Sequence, residues 1–182
     1  MSAQAFALFD SPIGSCGIAW NATGIAGFHL PLATAQATRL RLQQRWAGAV
    51  ESTPPPGVQR VIDCVLALLN GGAIDLSDIP VDLDDAPEFH RKVYEVARTI
   101  PPGKTMTYGE IAKRLGAPHE SREVGQALGR NPIAIIVPCH RVLGADGKMG
   151  GFSASGGVAT KRRILEIEGA AALSAGPLFE QR

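Results

Sequence analysis

Residues 107–131, TYGEIAKRLGAPHESREVGQALGRN, predict the fold of the second half of the chain, because they encode two short helices joined by a tight turn. Thr107 opens the first helix and Glu110 follows three residues later. This is the pattern of a capping box, in which each side chain satisfies a free backbone N–H of the other residue. Gly116 ends the first helix, and Ser121 is the expected N-cap of the second. The pattern is typical of a helix-turn-helix.

The second helix carries mainly small side chains, among them Gly125 and Ala127, so its backbone could approach a partner surface closely. Arg122 and Arg130 add positive charge near its two ends, which suits contact with phosphate groups. The alternative is that the small residues only let this helix pack tightly on its neighbour. The pattern by itself leaves both interpretations open.

Length and composition predict a globular chain without a membrane segment. With 182 residues, of which 45% are hydrophobic, it can form one domain or two small ones. It contains no run of about 18 apolar residues that could span a bilayer, and its N-terminus lacks the basic start and apolar core of a signal peptide. Its three cysteines are widely separated, which indicates neither a disulfide framework nor a cysteine-rich zinc site. We therefore expect a cytoplasmic protein.

The two halves of the chain carry opposite net charges, although the whole chain has a net charge of only +1. Residues 1–85 contain four arginines, no lysine and eight acidic residues, which gives −4. Residues 86–182 contain fourteen basic and nine acidic residues, which gives +5. This asymmetry is expected when only one half approaches a polyanion, although an excess of this size also fits an ordinary solvated surface.

The first half predicts a small unit of strands and helices. The segments AFALFD, GSCGIAW and GIAGFHL are separated by turn residues and predict a strand meander. Helices are predicted from Leu32 to about Ala47 and from about Val58 to Leu69. The segment DLSDIPVDLDDAP predicts a last strand, followed by a linker at about Asp84 to Pro87.

The linker divides the chain into two predicted domains. Residues 1–84 form the N-terminal α/β domain and residues 85–182 form the C-terminal domain, so the fold class is α+β. The C-terminal domain begins with PEFHRKVYEVARTI, whose apolar residues recur at helical spacing until Pro101, Pro102 and Gly103 end the helix.

The segment IAIIVPCHRV, from Ile133 to Val142, carries the clearest chemical signal. Its apolar run predicts a buried strand that ends at Cys139, where a cysteine usually serves as a small hydrophobic residue. Here His140 and Arg141 follow directly, and cationic neighbours lower the pKa of a thiol and favour the nucleophilic thiolate. Successive side chains of a strand point to opposite faces, so we expect His140 to reach the sulfur through a water or through a bend after Pro138.

In the order and spacing of these segments, the chain resembles the O6-alkylguanine-DNA alkyltransferase family, also called methylated-DNA–protein-cysteine methyltransferase. The resemblance rests on NPIAIIVPCHRV, on TYGEIAKRLG and SREVGQALGRN before it, and on GGFSASGGVATKRRILEIEG after it. It covers roughly Pro87 to Gly169, whereas the first half matches only in general plan. It implies an N-terminal RNase H-like domain of sheet and helix, followed by a mainly helical helix-turn-helix domain of winged-helix-like form.

The resemblance also implies roles for individual residues. Cys139 would take the alkyl group from the O6 atom of guanine and keep it as a thioether, in a single turnover. His140 would deprotonate the thiol through a water, and Glu168 would orient the histidine. Tyr108 would donate a hydrogen bond to the leaving guanine, and Asn131 would hold the active-site turn.

Further implied roles concern DNA and the flipped base, because an alkyl group inside a stacked duplex is out of reach of a thiolate. Arg122 would fill the gap that the extruded base leaves in the stack, while the helix lies in the minor groove. The other residues expected at the DNA surface are Ser121, Gly125, Ala127 and Arg130. The residues expected to line the guanine pocket are Tyr108, Val142, Phe152 and the loop serines Ser153 and Ser155, and the resemblance leaves open which of the two serines contacts the base.

The expected partner is double-stranded DNA containing O6-alkylguanine, and whether O4-alkylthymine is also a substrate stays open. We expect no cofactor, no metal, no membrane contact and no obligate protein partner, and we take a monomer as the default. One alternative is a helix-turn-helix protein that binds alkylated DNA without repairing it, although such a protein would be expected to lack the cysteine. Another is a cysteine hydrolase, although adjacent residues of a strand make a poor catalytic dyad.

Overall fold

The computed structural model describes residues 3–154 and 156–170 of the chain. Its N-terminal sheet begins with the predicted meander of three antiparallel strands, β1 (Ala5–Ser11), β2 (Gly14–Trp20) and β3 (Ile25–His29). A two-residue turn joins β1 to β2, where Ser11 pairs with Gly14. Gly14 has φ 123°, a conformation that a residue with a side chain rarely adopts. The meander is confirmed.

A helix and a short strand complete this sheet. Helix α1 (Ala35–Arg45) is shorter at both ends than predicted, and it leads to β4 (Val50–Glu51), which pairs in parallel with β1. The resulting strand order is β3-β2-β1-β4. The expected last strand near residue 81 is wrong, because only an isolated bridge joins Ile25 to Val81 there. A two-residue strand such as β4 is too short to show a period of two in the sequence.

Helices make up most of the regular secondary structure of the second half. Helix α2 (Pro56–Leu69) still belongs to the first half and follows the predicted bounds closely. The later elements are α3 (Glu88–Arg98), β5 (Met106–Thr107), α4 (Tyr108–Arg114), α5 (Ser121–Gly129), β6 (Val142–Leu143) and α6 (Gly157–Ile167). Strands β5 and β6 pair in parallel and form a second small sheet.

The two helix starts of the predicted helix-turn-helix differ in their caps. At α4 the capping box is confirmed, since Thr107 accepts a hydrogen bond from the Glu110 backbone N–H and the Glu110 side chain accepts one from the Thr107 backbone N–H. At α5 the predicted N-cap is wrong, because Glu120 is the N-cap and Ser121 is the first helical residue. No side-chain cap bond forms at this end of α5.

The apolar run before Cys139 is a turn, and the predicted buried strand is wrong. Only Ile133 makes a strand-like contact, an isolated bridge to Phe28 of β3. The chain then turns through Ile135, which has φ 68°, and a 3-10 helix (Cys139–Arg141) follows. The run is apolar because the turn itself is buried, and an apolar run alone does not distinguish a strand from a buried turn.

The two halves share one hydrophobic core. A single cluster of buried side chains includes Ile18 and Val65 of the first half together with Val93 and Ile133 of the second. Burial of this kind is the main favourable contribution to folding. None of the helices in the described part of the chain is long and apolar enough to cross a membrane.

Candidate active site

A network of short hydrogen bonds holds Cys139 at the end of the turn. The Asn131 side chain donates from Nδ2 to the Val137 carbonyl at 2.8 Å and accepts from the Ile133 backbone N–H at 2.9 Å. The turn is also attached to β3, since the Phe28 backbone N–H donates to the Pro132 carbonyl at 3.0 Å. Asn131 thus spans the segment that leads to the cysteine.

The Cys139 thiol lies in an environment that keeps its proton. Burial raises the pKa of this thiol, while a hydrogen bond from the Asn131 side chain and the positive charge of Lys161 act in the opposite direction. The net effect is a raised pKa, so the thiol is protonated at neutral pH. A reaction that needs the thiolate therefore needs a base to take the proton.

A buried histidine, a glutamate and an arginine form a cluster next to Cys139. His140 Nε2 lies 2.9 Å from Glu168 Oε1, and Arg141 donates to the same carboxylate from Nε at 3.0 Å and from Nη2 at 2.8 Å. The side chains of His140 and Glu168 are only 1% and 0% exposed. Arg141 also donates from Nη1 to the Ile100 carbonyl at 2.6 Å, so this cluster joins the 3-10 helix to the residues that follow α3 and α6.

The charges of this cluster fix the protonation of its members. Burial would raise the pKa of Glu168, but hydrogen bonds from His140 and Arg141 and the positive charge of Arg141 lower it to about 2. Burial lowers the pKa of His140, although Glu168 opposes that shift, so the imidazole is neutral at pH 7. A neutral imidazole whose Nε2–H donates a hydrogen bond to Glu168 keeps Nδ1 as an acceptor.

The Cys139 thiol contacts the His140 backbone N–H but not the His140 ring in the described part of the chain. The 3-10 helix supplies the bend after Pro138 that the sequence left open. A proton that moves from the thiol to Nδ1 would therefore pass through an intermediate group.

Lys161 and Arg141 are site residues whose roles the sequence did not reveal. Lys161 is fully buried in α6, donates from Nζ to the Val142 carbonyl at 2.5 Å, and lies 5.9 Å from the ring centroids of both Tyr108 and Phe152. Burial lowers its pKa, while Cys139 acts in the opposite direction. The burial of Lys161 could have been predicted from its position three residues before Ile164, on the apolar face of α6.

A cavity of about 710 Å³ opens beside the cysteine. Its wall brings together five of the predicted residues, which are Arg130, Asn131, Cys139, Phe152 and Ser153. The first half of the chain contributes His29, Arg41 and Arg45 to the same wall. This volume lies within the range of ordinary ligand pockets. Ser153 donates a hydrogen bond to the Gly129 carbonyl at 2.9 Å.

Two of the residues predicted for the pocket lie outside this wall. Tyr108 is half-buried, and its ring packs so closely on Gly150 that an added Cβ there would lie 2.8 Å from the phenol oxygen. Burial, and then Cys139, raise the pKa of Tyr108, so it keeps its proton at pH 7. Val142 is fully buried in the core, and its carbonyl accepts from Lys161. Ser155 lies outside the described residues.

The DNA-facing residues predicted on α5 divide into two groups. Ser121 and Arg122 are exposed at the start of the helix, and Arg130 is exposed at its end. Gly125 is half-buried against the Tyr108 ring. The expectation for Ala127 is wrong, because its side chain is fully buried and its carbonyl accepts from the Tyr94 hydroxyl at 2.8 Å. This face of α5 packs on α3 and not on a partner.

No group of three or more His, Cys, Asp or Glu side chains within residues 3–154 and 156–170 is arranged to hold a metal ion.

Known proteins with similar sequences and folds share this arrangement of segments. Residues 88–170 match the family profile described as the DNA binding domain of 6-O-methylguanine DNA methyltransferase. A Mycobacterium tuberculosis protein named methylated-DNA–protein-cysteine methyltransferase is 39% identical over 173 residues, which cover 94% of this chain and 96% of that protein.

Solved structures agree with this relation. The crystal structure of Mycobacterium tuberculosis O6-methylguanine methyltransferase superimposes with a TM-score of 0.74 at 35% identity and covers 96% of each chain. The structure of Mycobacterium tuberculosis OGT in complex with DNA superimposes with a TM-score of 0.72 at 36% identity, and the match covers 93% of this chain and 98% of that one.

Proposed function

The chain belongs to the methylated-DNA–protein-cysteine methyltransferase family, and from this premise we propose that it repairs O6-alkylguanine in DNA by moving the alkyl group irreversibly to Cys139. The observation that carries the assignment of Cys139 is its position in the cavity wall, next to the buried pair of His140 and Glu168. The binding partner of the protein is double-stranded DNA that contains the damaged base.

The transfer begins with removal of the thiol proton. A water between Cys139 Sγ and His140 Nδ1 passes the proton to the imidazole, and Glu168 stabilises the imidazolium through Nε2. The thiolate attacks the alkyl carbon, so that a carbon–sulfur bond forms while the bond from that carbon to O6 breaks. The guanine leaves with the electron pair of this bond. The thioether is stable, which makes the protein a single-turnover reagent.

The leaving guanine needs a group that offsets its negative charge. Tyr108 stays protonated at neutral pH and is close enough to Cys139 to interact with it electrostatically. It therefore serves as hydrogen-bond donor to the departing base. Lys161 places a positive charge near both the thiolate and this phenol. Phe152 and Ser153 line the cavity that takes the guanine ring, and Asn131 keeps the cysteine turn in position.

Access to the base requires that the nucleotide leave the duplex. We assign the exposed face at the start of α5, with Ser121 and Arg122, to the minor groove, where the arginine fills the gap in the base stack. Arg130 stands at the other end of α5 on the cavity wall and contacts the backbone of the extruded nucleotide.

We further propose an RNase H-like N-terminal domain of residues 1–84 and a winged-helix-like C-terminal domain of residues 85–182. Three antiparallel strands, a helix and a fourth strand parallel to the first support the former proposal. The helix pair α4 and α5 with the small sheet of β5 and β6 supports the latter. Cytoplasmic localisation and a monomeric state stay predictions.

The mass of the intact protein tests the function. After incubation with a duplex oligonucleotide containing O6-methylguanine, we expect a gain of one methyl group, about 14 Da, on each chain, because the thioether is not reversed. With substrate in excess, product should stop accumulating at one equivalent per chain. Continued turnover of the excess substrate would contradict a single-use cysteine.

Arg122→Ala is expected to slow repair of duplex DNA about 10- to 100-fold, because the base stack then collapses into the gap and competes with base flipping. The loss with free O6-benzylguanine should be much smaller, since that base needs no extrusion. Single-turnover rates on both substrates measure the difference. Arg60→Ala, which removes the same charge from an exposed position on α2, is the control, and equal losses on both substrates would argue against the role of Arg122.

A further inference from the structure

The wall of the Cys139 cavity holds a group of arginines that have no acidic partner. Arg41 and Arg45 lie on α1, and Arg130 follows α5. None of the three forms a salt bridge with a carboxylate in the part of the chain that the structure describes, and none of the residues lining this wall is acidic. By contrast, Arg39 of the same helix donates from Nε to Glu51 at 3.0 Å.

Arg41 and Arg45 are close enough to repel each other. Partial desolvation, and then the charge of Arg41, lower the pKa of the Arg45 guanidinium. Arg45 and Arg130 both act electrostatically on the buried Tyr94 hydroxyl, which places these two arginines near the same phenol. His29 adds no charge, since burial lowers its pKa and it is neutral at pH 7. Like charges without counterions cost stability, and a bound anion offsets that cost.

Two features make Arg41 and Arg45 a defined surface and not a scattered pair. They are four residues apart on α1, so both side chains project from one face of the helix. The Arg45 guanidinium also lies over the Trp46 ring, with its Cζ 5.3 Å from the ring centroid, which restricts its position. Strand β3 fixes this half against the cysteine turn through the bridge from Phe28 to Ile133.

We propose that Arg41 and Arg45 of the N-terminal half bind backbone phosphates of the DNA strand that carries the damaged base, next to the flipped nucleotide. The inference rests on the proposed function, since it requires that the base enter the Cys139 cavity. Phosphate is the anion that suits planar guanidinium groups, which form paired hydrogen bonds with two of its oxygens. The lesion strand must cross the cavity mouth when its base lies inside, and these arginines line the same cavity as Cys139.

With this site, both halves of the chain contact DNA, although the charge of the first half predicts that only the second does. The first half has a net charge of −4 over residues 1–85, and by composition it should avoid a polyanion. Two of its four arginines nevertheless lie at the cavity, and a third is neutralised by Glu51. The N-terminal half therefore adds a basic edge to the DNA surface of the C-terminal half.

The experiment measures binding of a duplex with one O6-methylguanine by fluorescence anisotropy, in a Cys139→Ser background that prevents reaction. For the double variant Arg41→Gln with Arg45→Gln, we expect about tenfold weaker binding near 0.15 M salt. The slope of log affinity against log salt concentration should become shallower by about 1 to 2, because fewer counterions are released. Both side chains are exposed, so the core is left intact.

A matched control removes two charges from the same half without touching the cavity. Arg39→Gln with Arg60→Gln should keep the affinity and the salt slope of the parent protein, since neither residue lines the wall. If the control loses as much as the test variant, net charge and not a phosphate site explains the effect, and the proposal is overturned.

Neutral methylphosphonates, placed one at a time around the lesion, locate the contact. A methylphosphonate at a contacted position should weaken binding to the parent but not weaken it further in the Arg41/Arg45 variant, as expected for a coupled pair. Additive losses at every position, or an unchanged salt slope, would overturn the proposal. Methyl transfer to the protein with Cys139 intact tests the proposed function separately. The phosphate site can therefore be refuted while the repair function stands, and the reverse is also true.

Discussion

Replacing Cys139 with serine is expected to remove methyl transfer altogether, with no mass gain after incubation with O6-methylguanine DNA. A serine hydroxyl is far less acidic than a thiol and is a weak nucleophile unless a base activates it directly. The His140 ring is hydrogen-bonded to Glu168 and makes no hydrogen bond to the side chain of residue 139 in the described part of the chain. The variant should still bind the damaged duplex, because the change removes no group from the DNA surface.

The other two cysteines provide the control. Cys64 is half-buried in α2 and lies outside the wall of the Cys139 cavity, so Cys64→Ser should keep the full methyl gain. Cys16 is buried in β2, and burial raises its pKa to about 11, so it does not form a thiolate at neutral pH. Peptide mapping should find the methyl group on the peptide containing residue 139. A methylated Cys139→Ser chain would refute the assigned nucleophile.

Glu168→Gln is expected to lower the rate constant of methyl transfer by about 10²- to 10³-fold, which is within the usual contribution of general base catalysis. A glutamine can donate to His140 Nε2, which would move the ring proton to Nδ1 and block the nitrogen that should accept from the thiol. It also leaves Arg141 without its carboxylate. The loss should be equal for duplex DNA and free O6-benzylguanine, unlike that of Arg122→Ala, and single-turnover kinetics measures both.

Stability must be measured on the same variant, since removing one partner of a buried ion pair is costly. The lowered pKa of Glu168 means that its charge stabilises the fold above the ordinary glutamate pKa of about 4.3, and that this contribution is lost as the pH falls towards about 2. The stability gap between parent and variant should shrink over that window. Glu166→Gln, an exposed neighbour on α6, is the control. A folded Glu168→Gln chain with the parent's rate would rule out the orienting role.

Local sequence patterns predict those parts of the structure that depend on residues close together in the chain. The β1–β3 meander follows from alternating apolar residues with turn residues between them, and the capping box of α4 from Thr107 and Glu110 alone. Cys139 was identified from its neighbours and from the family resemblance. Glu168 came from the resemblance, and the structure places it 2.9 Å from His140.

Long-range contacts account for what the sequence did not reveal. Arg141 is separated from Glu168 by 27 residues and from Ile100 by 41, so no local pattern indicates that it closes this cluster. Arg41 and Arg45 reach the cavity only because β3 joins the cysteine turn, a pairing between distant segments. Ala127 was misassigned because a small residue on a helix suits close packing as well as close approach to DNA.

The turn before the nucleophile also limits how this protein can change in evolution. Ile135 holds φ 68° with its side chain 1% exposed, a conformation that costs a branched residue about 1 to 3 kcal/mol. Glycine would relieve the backbone but leave an empty space in the core, while another large apolar residue would keep the strain. Neither exchange is neutral, so drift at position 135 is confined to substitutions that are compensated elsewhere in the turn. The backbone conformation that presents Cys139 thus limits which residues can replace Ile135, although Ile135 takes no part in the chemistry.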